Sequence, residues 1–273
     1  MTKPRQIAPR QIAMAVLAVV FVAGMGASVV APASYDRQFR EAPGAPPSRQ
    51  FPLGTDELGR DRLSRLLYGS RISLILAPAA AFLATAIAAV AGTAAGLLGR
   101  WWERIFLGAT DLSLALPWLF LLLTVRALLP LDVAPAVSVT ITFLLLGMLG
   151  WAGPARVVRA AVVAMRNSEF VLQARASGCT ESRLLWVHLL PNLKPVLFTQ
   201  FMVSIPVFIL SEANLGLLGL GVAEPMPSWG NLLRDLEHFS EIAANPWLLA
   251  PAGLLAVVVT CFQLVVPRED FVA

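Results

Sequence analysis

Few side chains in this 273-residue sequence are spaced as catalytic groups usually are. The two histidines, His188 and His238, lie 50 positions apart, and neither an HExxH pair nor a GxSxG nucleophile turn is present. Neither of the two lysines, Lys3 and Lys194, belongs to a GxxxxGKS or GxxxxGKT phosphate-binding loop. The sequence therefore predicts that this chain does not hydrolyse ATP through a P-loop. A membrane-embedded enzyme is the weakest of the functional hypotheses.

One ionisable side chain, Glu212, lies inside the apolar stretch Pro195–Val222. A carboxylate near the bilayer centre costs about 2.5–3.5 kcal/mol on insertion scales, so such a group usually faces a cavity or a partner. We predict that Glu212 and the nearby Asn214 face the interior of the protein. There Glu212 would either line a pathway or hold an external gate by hydrogen bonding. The alternative is a carboxylate near the membrane surface with access to water.

The stretch Arg166–Asn192 combines helix-start and helix-stop signals that predict a helix–turn–helix elbow. A first helix is expected over Glu169–Ser177, and Gly178 can end it because glycine readily adopts a left-handed conformation. Thr180 then caps a second helix, which we expect Pro191 to end. The first helix is amphipathic and is suited to docking in a groove of another protein, although anionic lipid headgroups would also attract its arginines.

The composition indicates what must surround these groups. Apolar residues make up 57% of the sequence and charged residues 14%, whereas soluble domains average roughly 45–50% and 25%. Much of the chain therefore needs lipid as its solvent, and a spanning helix needs about 20 apolar residues. Six windows of this kind occur, namely Ile12–Ala31, Ile72–Leu98, Leu112–Leu129, Ala134–Gly153, Pro195–Val222 and Trp247–Val266.

Charged residues are distributed unevenly between the predicted loops. Three basic residues and no acid precede the first window, which predicts a cytoplasmic N-terminus, and six spans return the C-terminus to the cytoplasm. The arginine-rich loop 154–194 would be cytoplasmic and the acidic loop 223–246 external. The segment Pro32–Arg71 departs from this rule, since seven arginines accompany five acids outside. The first window could also be a cleavable signal peptide, but its length of about 20 residues favours an uncleaved anchor helix.

Two further patterns concern helix packing. Gly92 and Gly96 form a GxxxG pattern, which predicts the close approach of a second helix, although small residues are also common in membrane helices generally. In the block Pro52–Leu74 we expect an interfacial helix that leads into the second window, with Asp61 and Arg65 paired four residues apart. A solvated charged face is the alternative interpretation of this block.

Three blocks of the sequence carry a resemblance to a known family. The elbow, in which Leu190-Pro191 follows Gly178, resembles the EAA loop of ABC-transporter permeases, although only Ala174 of its triplet matches. The blocks Pro52–Leu74 and Glu212–Gly230 resemble the dipeptide/oligopeptide/nickel permease family, specifically its shorter C-type subunit. The resemblance covers nearly the whole chain and is poorest in the tail, where the family's usual glycine- and aspartate-containing ending is replaced by Val266–Ala273.

The resemblance implies an all-α integral membrane protein with six transmembrane helices in the type I ABC importer permease fold. It implies a heterodimer with a second permease subunit, two ATP-binding subunits that hold ATP and Mg²⁺, and an extracytoplasmic substrate-binding protein. No cofactor bound by this chain and no nucleic acid partner are expected. In this family the EAA loop is a coupling helix that contacts the ATPase. The coupling residues predicted here are Glu169, Phe170, Val171, Gln173, Ala174, Arg175, Gly178, Arg183 and Pro191.

The function expected from these observations is that of a non-catalytic permease subunit in the bacterial cytoplasmic (inner) membrane. It would import peptides, nickel or other small solutes by alternating access. We predict an N-terminal anchor helix with an external segment, residues 1–71, and a five-helix permease core, residues 72–273. The alternative is a stand-alone secondary transporter or channel that uses Glu212 as a proton or cation site, but the sequence has none of the inverted repeats that many such folds contain.

Overall fold

The computed structural model describes residues 9–128, 134–237, 242–243 and 245–266. In these residues regular structure is helical, apart from two isolated β-bridges before residue 62. Lys3, Arg5, His238 and the tail beyond Val266 lie outside the described residues. The α-helices are α1 (Pro9–Met25), α2 (Ala27–Val30), α3 (Arg62–Leu97), α4 (Arg100–Ala115), α5 (Trp118–Ala127), α6 (Pro135–Leu149), α7 (Ala152–Arg166), α8 (Glu169–Ala176), α9 (Glu181–Arg183), α10 (Leu190–Leu217), α11 (Trp229–Leu233) and α12 (Ala250–Val265). A π-helical turn covers Leu184–Leu189, and 3-10 turns cover Arg234–Glu237 and Pro246–Leu249.

Four helical segments are long and apolar enough to cross a membrane, namely Arg62–Leu97, Pro135–Arg166, Leu184–Leu217 and Pro246–Val265. They contain the second, fourth, fifth and sixth predicted windows in whole or in large part. The first window, Ile12–Ala31, overlaps α1, a shorter apolar helix of 17 residues, and its last part forms α2. The predicted all-α membrane fold is therefore confirmed.

The third window, Leu112–Leu129, is interrupted at Pro117. The structure divides this apolar run between α4, which begins at Arg100, and α5. Leu116 has an extended backbone with φ −74° and ψ 128°, because the residue before a proline avoids the helical region. Pro117 cannot donate an N–H to the preceding turn, so α4 stops before it and a new helix starts after it.

The second span starts ten residues earlier than predicted, at Arg62, because Asp61 caps the helix. The Asp61 carboxylate accepts the backbone N–H of Ser64 at 2.7 Å and its hydroxyl at 2.5 Å. α3 therefore runs without a break across residue 71, and the division of the chain into 1–71 and 72–273 stays a prediction. The expected pairing of Asp61 with Arg65 was wrong, because Arg65 turns instead toward Glu224.

The segment 154–194 is mostly helical, since α7 continues the fourth span as far as Arg166. The prediction that Pro191 ends the second elbow helix was wrong, because the helix continues through the π turn into α10. Within this turn the N–H of Leu190 bonds to the carbonyl of Leu185, five residues back. This wider spacing loosens the hydrogen-bond ladder where proline has no N–H to contribute.

α3 is the central helix of the bundle and contacts α1, α4, α6, α7, α10 and α11. The GxxxG prediction is confirmed, because a Cβ added to Gly92 would lie 2.5 Å from the carbonyl oxygen of Ala155 on α7. A Cβ on Gly96 would lie 2.6 Å from a methyl group of Val162. The main apolar core is formed by α3, α6, α10, α11 and α12, and α1 packs against α12 and α3.

Candidate functional site

The elbow is closed by a Schellman motif at the end of α8. Gly178 has φ +77°, its N–H bonds to the carbonyl of Arg175 at 3.0 Å, and the N–H of Cys179 bonds to the carbonyl of Ala174 at 3.0 Å. These two bonds satisfy carbonyls that the helix end would otherwise leave free. The predicted stop at Gly178 is confirmed, with the helix ending one residue earlier than expected, at Ala176.

The second limb of the elbow starts as predicted. The hydroxyl of Thr180 accepts the backbone N–H of Arg183 at 3.4 Å, and Glu181 occupies the first turn. Glu181 also lies 3.2 Å from the guanidinium of Arg175 on the first limb. This bridge is exposed and contributes little to stability, so the turn itself fixes the angle between the two limbs.

The buried side of the elbow attaches it to the membrane helices. Val171, Leu184 and Leu189 are almost completely buried and form one cluster with Leu97 at the end of α3 and Met165 near the end of α7. Val171 is therefore an anchor of the elbow, in contrast to the surface role that the sequence suggested for it.

Further contacts reinforce this attachment. The guanidinium of Arg166, at the end of α7, donates to the carbonyl of Gly96 on α3 at 3.4 Å. The second limb is continuous with α10. A displacement of α8 would therefore be transmitted to α3, α7 and α10.

The opposite side of the elbow contains an open cleft of about 490 Å³. Five predicted coupling residues line it, namely Phe170, Gln173, Ala174, Gly178 and Arg183. Ser177, Cys179 and His188 also line it and were missed, although Ser177 follows Gln173 and Ala174 at helical spacing. Glu169, Arg175 and Pro191 do not line the cleft. Phe170 is 39% exposed, which leaves an aromatic ring available at its edge.

The far end of α3 carries a second group of charged residues, which we call the clamp: Asp56, Arg60, Arg65 and Glu224. The guanidinium of Arg60 lies 2.6 Å from Asp56 and 2.6 Å from Glu224, and Arg65 donates to Glu224 at 2.9 Å. Burial alone would lower the pKa of Arg60, but the hydrogen bonds and charges of Asp56 and Glu224 raise it above its ordinary value. The clamp joins the segment before α3 to the segment after α10.

Next to the clamp, the segment 228–230 is held against α3 and α10. The indole N–H of Trp229 donates to the hydroxyl of Ser70 at 3.0 Å, and the ring is fully buried. The backbone N–H of Gly230 donates to the carboxylate of Glu212 at 3.3 Å. Arg62 also pairs with Asp235 at this end of the molecule.

The two predicted pathway residues occupy different environments. Glu212 has no exposed surface within this chain, so the geometry favours a tether of segment 228–230 over a carboxylate with access to water. Asn214, two residues further along α10, is exposed on the surface of the chain. The structure therefore does not bring Glu212 and Asn214 together at one surface.

These features define a class of protein: an α-helical, multi-pass membrane permease in which one long helix connects a helical elbow to a charged clamp. The family described as "Binding-protein-dependent transport system inner membrane component" matches residues 65–267. The chain belongs to this family, and it is therefore a permease component of a binding-protein-dependent transport system in the inner membrane.

Individual relatives agree with this assignment. The oligopeptide transport system permease protein OppC of Bacillus subtilis is 34% identical over 222 residues, which cover 81% of this chain and 70% of the relative. The protein of the same name from Mycobacterium tuberculosis strain H37Rv is 31% identical over 252 residues, or 92% of this chain and 84% of the relative. The corresponding protein of Haemophilus influenzae is 31% identical over 214 residues, or 78% and 66%.

Proposed function

We propose that this chain is a transmembrane permease subunit of an ATP-driven ABC importer that carries peptides. The relatives are named for oligopeptide transport, which supports peptides as the substrate over nickel chelates. In this proposal the chain binds no cofactor and catalyses no reaction, while ATP and Mg²⁺ are held by two ATP-binding subunits. A second permease subunit completes the membrane part, and an extracytoplasmic binding protein delivers the peptide.

The observation that carries the proposal is the two-sided construction of the elbow. One side of α8 is anchored through Val171 to the ends of α3 and α7, and the other presents Phe170 and the cleft. A short amphipathic helix held in this way can receive a push from a partner and pass it to the membrane helices. We assign the cleft to the ATPase contact and place the elbow and both termini in the cytoplasm.

Alternating access then follows from the connections of the elbow. Closure of the ATP-binding subunits would press on α8, and the displacement would reach α3, α7 and α10 through Val171, Leu184 and Leu189. At the other end of the molecule, α3 and α10 hold the clamp and the tether between Glu212 and Gly230. We assign this end to the outside, where it would open and close the passage to the binding protein.

Substitution of Phe170 tests the proposal directly. Phe170→Asp places a charge in the cleft and should prevent co-purification of the ATP-binding subunits or uncouple ATP hydrolysis from peptide uptake. The matched control is Ala176→Asp, because Ala176 is exposed on the same helix but does not line the cleft. Gly178→Pro should act like Phe170→Asp, because proline cannot adopt the positive φ of Gly178. A Phe170→Asp complex that assembles and transports normally would refute the assignment.

The alternative, a secondary transporter or channel that uses Glu212, receives less support. The carboxylate of Glu212 is engaged by Gly230 and is closed off from the surface of the chain. A proton or cation site needs an access route, and the contacts of Glu212 favour a structural tether instead. Transport by the purified chain in liposomes without ATP-binding subunits would restore this alternative.

A further inference from the structure

A second cleft, of about 460 Å³, lies in the membrane-spanning part of the chain, apart from the elbow, the clamp and Glu212. It is bounded by the end of α4, by the junction of α6 with α7 and by the middle of α10. Its size lies within the range of roughly 300–1,000 Å³ that is typical of pockets for small molecules.

The cleft lies near the middle of the long helical segments that bound it. Gln200, on its α10 side, is the seventeenth residue of the 34-residue segment Leu184–Leu217. On the other sides, α4 and α7 contain 16 and 15 residues, so their ends at the cleft lie about 24 and 22 Å from their ends near the elbow. With the elbow and the clamp on opposite sides of the membrane, as proposed above, this position falls inside the bilayer.

Two interruptions of the helices meet at this depth. The extended backbone at Leu116 separates α4 from α5, and a turn at Gly150 separates α6 from α7. Non-helical backbone inside a bilayer is tolerated only where it is buried in protein or lines a cavity. Leu116 and Gly150 both line the cleft, which explains how the chain accommodates both breaks.

The walls of the cleft are apolar with a few neutral polar groups. Val157, Val203 and Val207 line it and are 41–45% exposed, and Ser113, Gln200 and Ser204 supply two hydroxyls and an amide. Among the described residues that line the cleft none is charged. The Ser204 hydroxyl donates to the backbone carbonyl of Gln200 at 2.7 Å, so its oxygen is left as an acceptor.

The side chain of Gln200 makes no hydrogen bond to any other described residue. An amide at mid-membrane depth needs a polar partner, because lipid offers none. Such a partner must come from outside this chain. An amide can both donate to and accept from the neutral amides of a peptide backbone, whereas a transition-metal ion such as nickel favours imidazole ligands, which are absent from the described residues that line the cleft.

We propose that this cleft is the part of the substrate passage contributed by this chain, and that Gln200 and Ser204 contact the backbone of a peptide in transit. The proposal rests on the proposed function as a peptide importer, and it moves the predicted pathway from Glu212 and Asn214 to the middle of α10. The apolar walls accept varied side chains without selecting a charge. The second permease subunit would close the open side of the cleft.

Gly153 allows the cleft to be filled without disturbing the helices. A Cβ added there meets no atom within 4 Å, and Gly153 lines the cleft in the first turn of α7. Gly153→Phe should lower uptake of radiolabelled tri-alanine at least tenfold in proteoliposomes that contain the full complex, while the complex assembles and still hydrolyses ATP. The matched control is Gly253→Phe on α12, where an added Cβ also meets nothing within 4 Å and which does not line the cleft.

The possible outcomes separate this inference from the proposed function. If Gly153→Phe takes up peptide nearly as fast as Gly253→Phe, the cleft is not part of the passage. This holds even if Phe170→Asp abolishes coupling. Loss of assembly in Gly153→Phe alone would also overturn it, because the cleft would then be a contact between subunits. Failure of the unsubstituted chain to recruit ATP-binding subunits would refute the proposed function itself.

A second variant tests the polar contact. Gln200→Leu keeps the approximate volume but removes the amide, so maximal uptake of tri-alanine should fall several-fold while the concentration of loaded binding protein at half-maximal uptake stays unchanged. Gln200→Asn should recover part of the lost rate. If Gln200→Leu transports as well as the unsubstituted chain, Gln200 does not contact the peptide.

Discussion

Gly230 lies where no side chain can fit. A Cβ added to it would lie 2.6 Å from the carbonyl oxygen of Glu212 and 3.1 Å from the Cα of Ala213, both of which belong to the backbone of α10. The segment that carries Trp229 is therefore packed directly on this helix, with glycine as the contact residue. The short distance also brings the N–H of Gly230 to the Glu212 carboxylate.

We expect Gly230→Ala to destabilise the chain by about 1–3 kcal/mol, because backbone atoms of α10 would have to move to admit the methyl group. Thermal unfolding of the purified complex measures the effect. Gly253→Ala is the control, since a methyl group there meets open space. Equal unfolding temperatures for the two variants would show that segment 228–230 is not fixed against α10.

Glu212 acts at the same contact, and its role can be separated into charge and hydrogen bonding. Glu212→Gln keeps an oxygen that can accept the N–H of Gly230, so we expect nearly normal assembly and uptake. Glu212→Ala leaves that N–H unpaired in a buried site, at a cost of about 1–3 kcal/mol. Uptake normalised to folded complex distinguishes the two. Normal behaviour of both variants would eliminate the tether, and equal damage in both would show that the charge is required.

At the scale of the helix, α3 packs closely against α7. Gly92 and Gly96 occur one turn apart on α3, and α7 approaches so closely that Ala155 and Val162 occupy the space of their missing side chains. α7 leads directly into the elbow. This contact therefore sets the position of α8 relative to the centre of the bundle.

Gly92→Ala should destabilise the complex by about 1–3 kcal/mol, because the added methyl group would meet the backbone carbonyl of Ala155. Gly108→Ala on α4 should be neutral, because a Cβ at Gly108 meets nothing within 4 Å. Thermal unfolding and recovery of assembled complex from the membrane give the comparison. If Gly92→Ala and Gly108→Ala gave the same unfolding temperature and the same recovery, α3 would not be closely packed on α7.

Features of the chain that depend on neighbouring residues were predictable from the sequence. The glycine stop at Gly178, the Thr180 cap and the close approach at Gly92 each follow from a few adjacent residue types. The continuation through Pro191 was not predictable in this way, because a π turn depends on how the whole helix packs. The break at Pro117 has a local cause, but hydropathy alone obscured it since the residues on both sides are apolar.

The partners of Arg65 and the second cleft depend on contacts between distant parts of the chain. Arg65 has a suitable acid four residues away in Asp61, yet it pairs with Glu224, 159 positions further along the chain. Asp61 is engaged as a helix cap instead. Likewise, Ser113, Gln200 and Gly153 show no shared pattern in the sequence, and only the packing of α4, α7 and α10 brings them to one cleft.

In the molecule as a whole, two groups of charged side chains lie at opposite ends of α3. This helix has 36 residues and is about 54 Å long, so it extends beyond a hydrocarbon core of about 30 Å. At one end lies the elbow with Arg166, Arg175 and Arg183, and at the other the clamp pairs arginines with acids. Three of the seven arginines in Pro32–Arg71 are neutralised there, by Asp56, Glu224 and Asp235. This pairing explains how an arginine-rich segment is compatible with an external location.

The orientation of the chain and the number of spans can be tested together with thiol labelling. Cys179 is partly exposed in the elbow, whereas Cys261 is buried in α12. A membrane-impermeant maleimide should therefore label Cys179 in inside-out vesicles and leave it unlabelled in right-side-out vesicles. A cysteine introduced by Arg49→Cys into a Cys179→Ser background should show the opposite pattern, because residue 49 is exposed in the segment before α3.

The side from which each cysteine is labelled depends on how many times the chain crosses the membrane between residues 49 and 179. α3 and the segment Pro135–Arg166, which consists of α6 and α7, are long enough to cross the membrane, but α4 and α5, with 16 and 10 residues, cross only if they act together. Three crossings put the two cysteines on opposite sides, whereas two crossings put them on the same side. Labelling of both sites from one side would therefore show that the pair α4 and α5, which provides one wall of the proposed passage, does not cross the membrane. Reversal of both patterns would keep the three crossings and place the elbow outside.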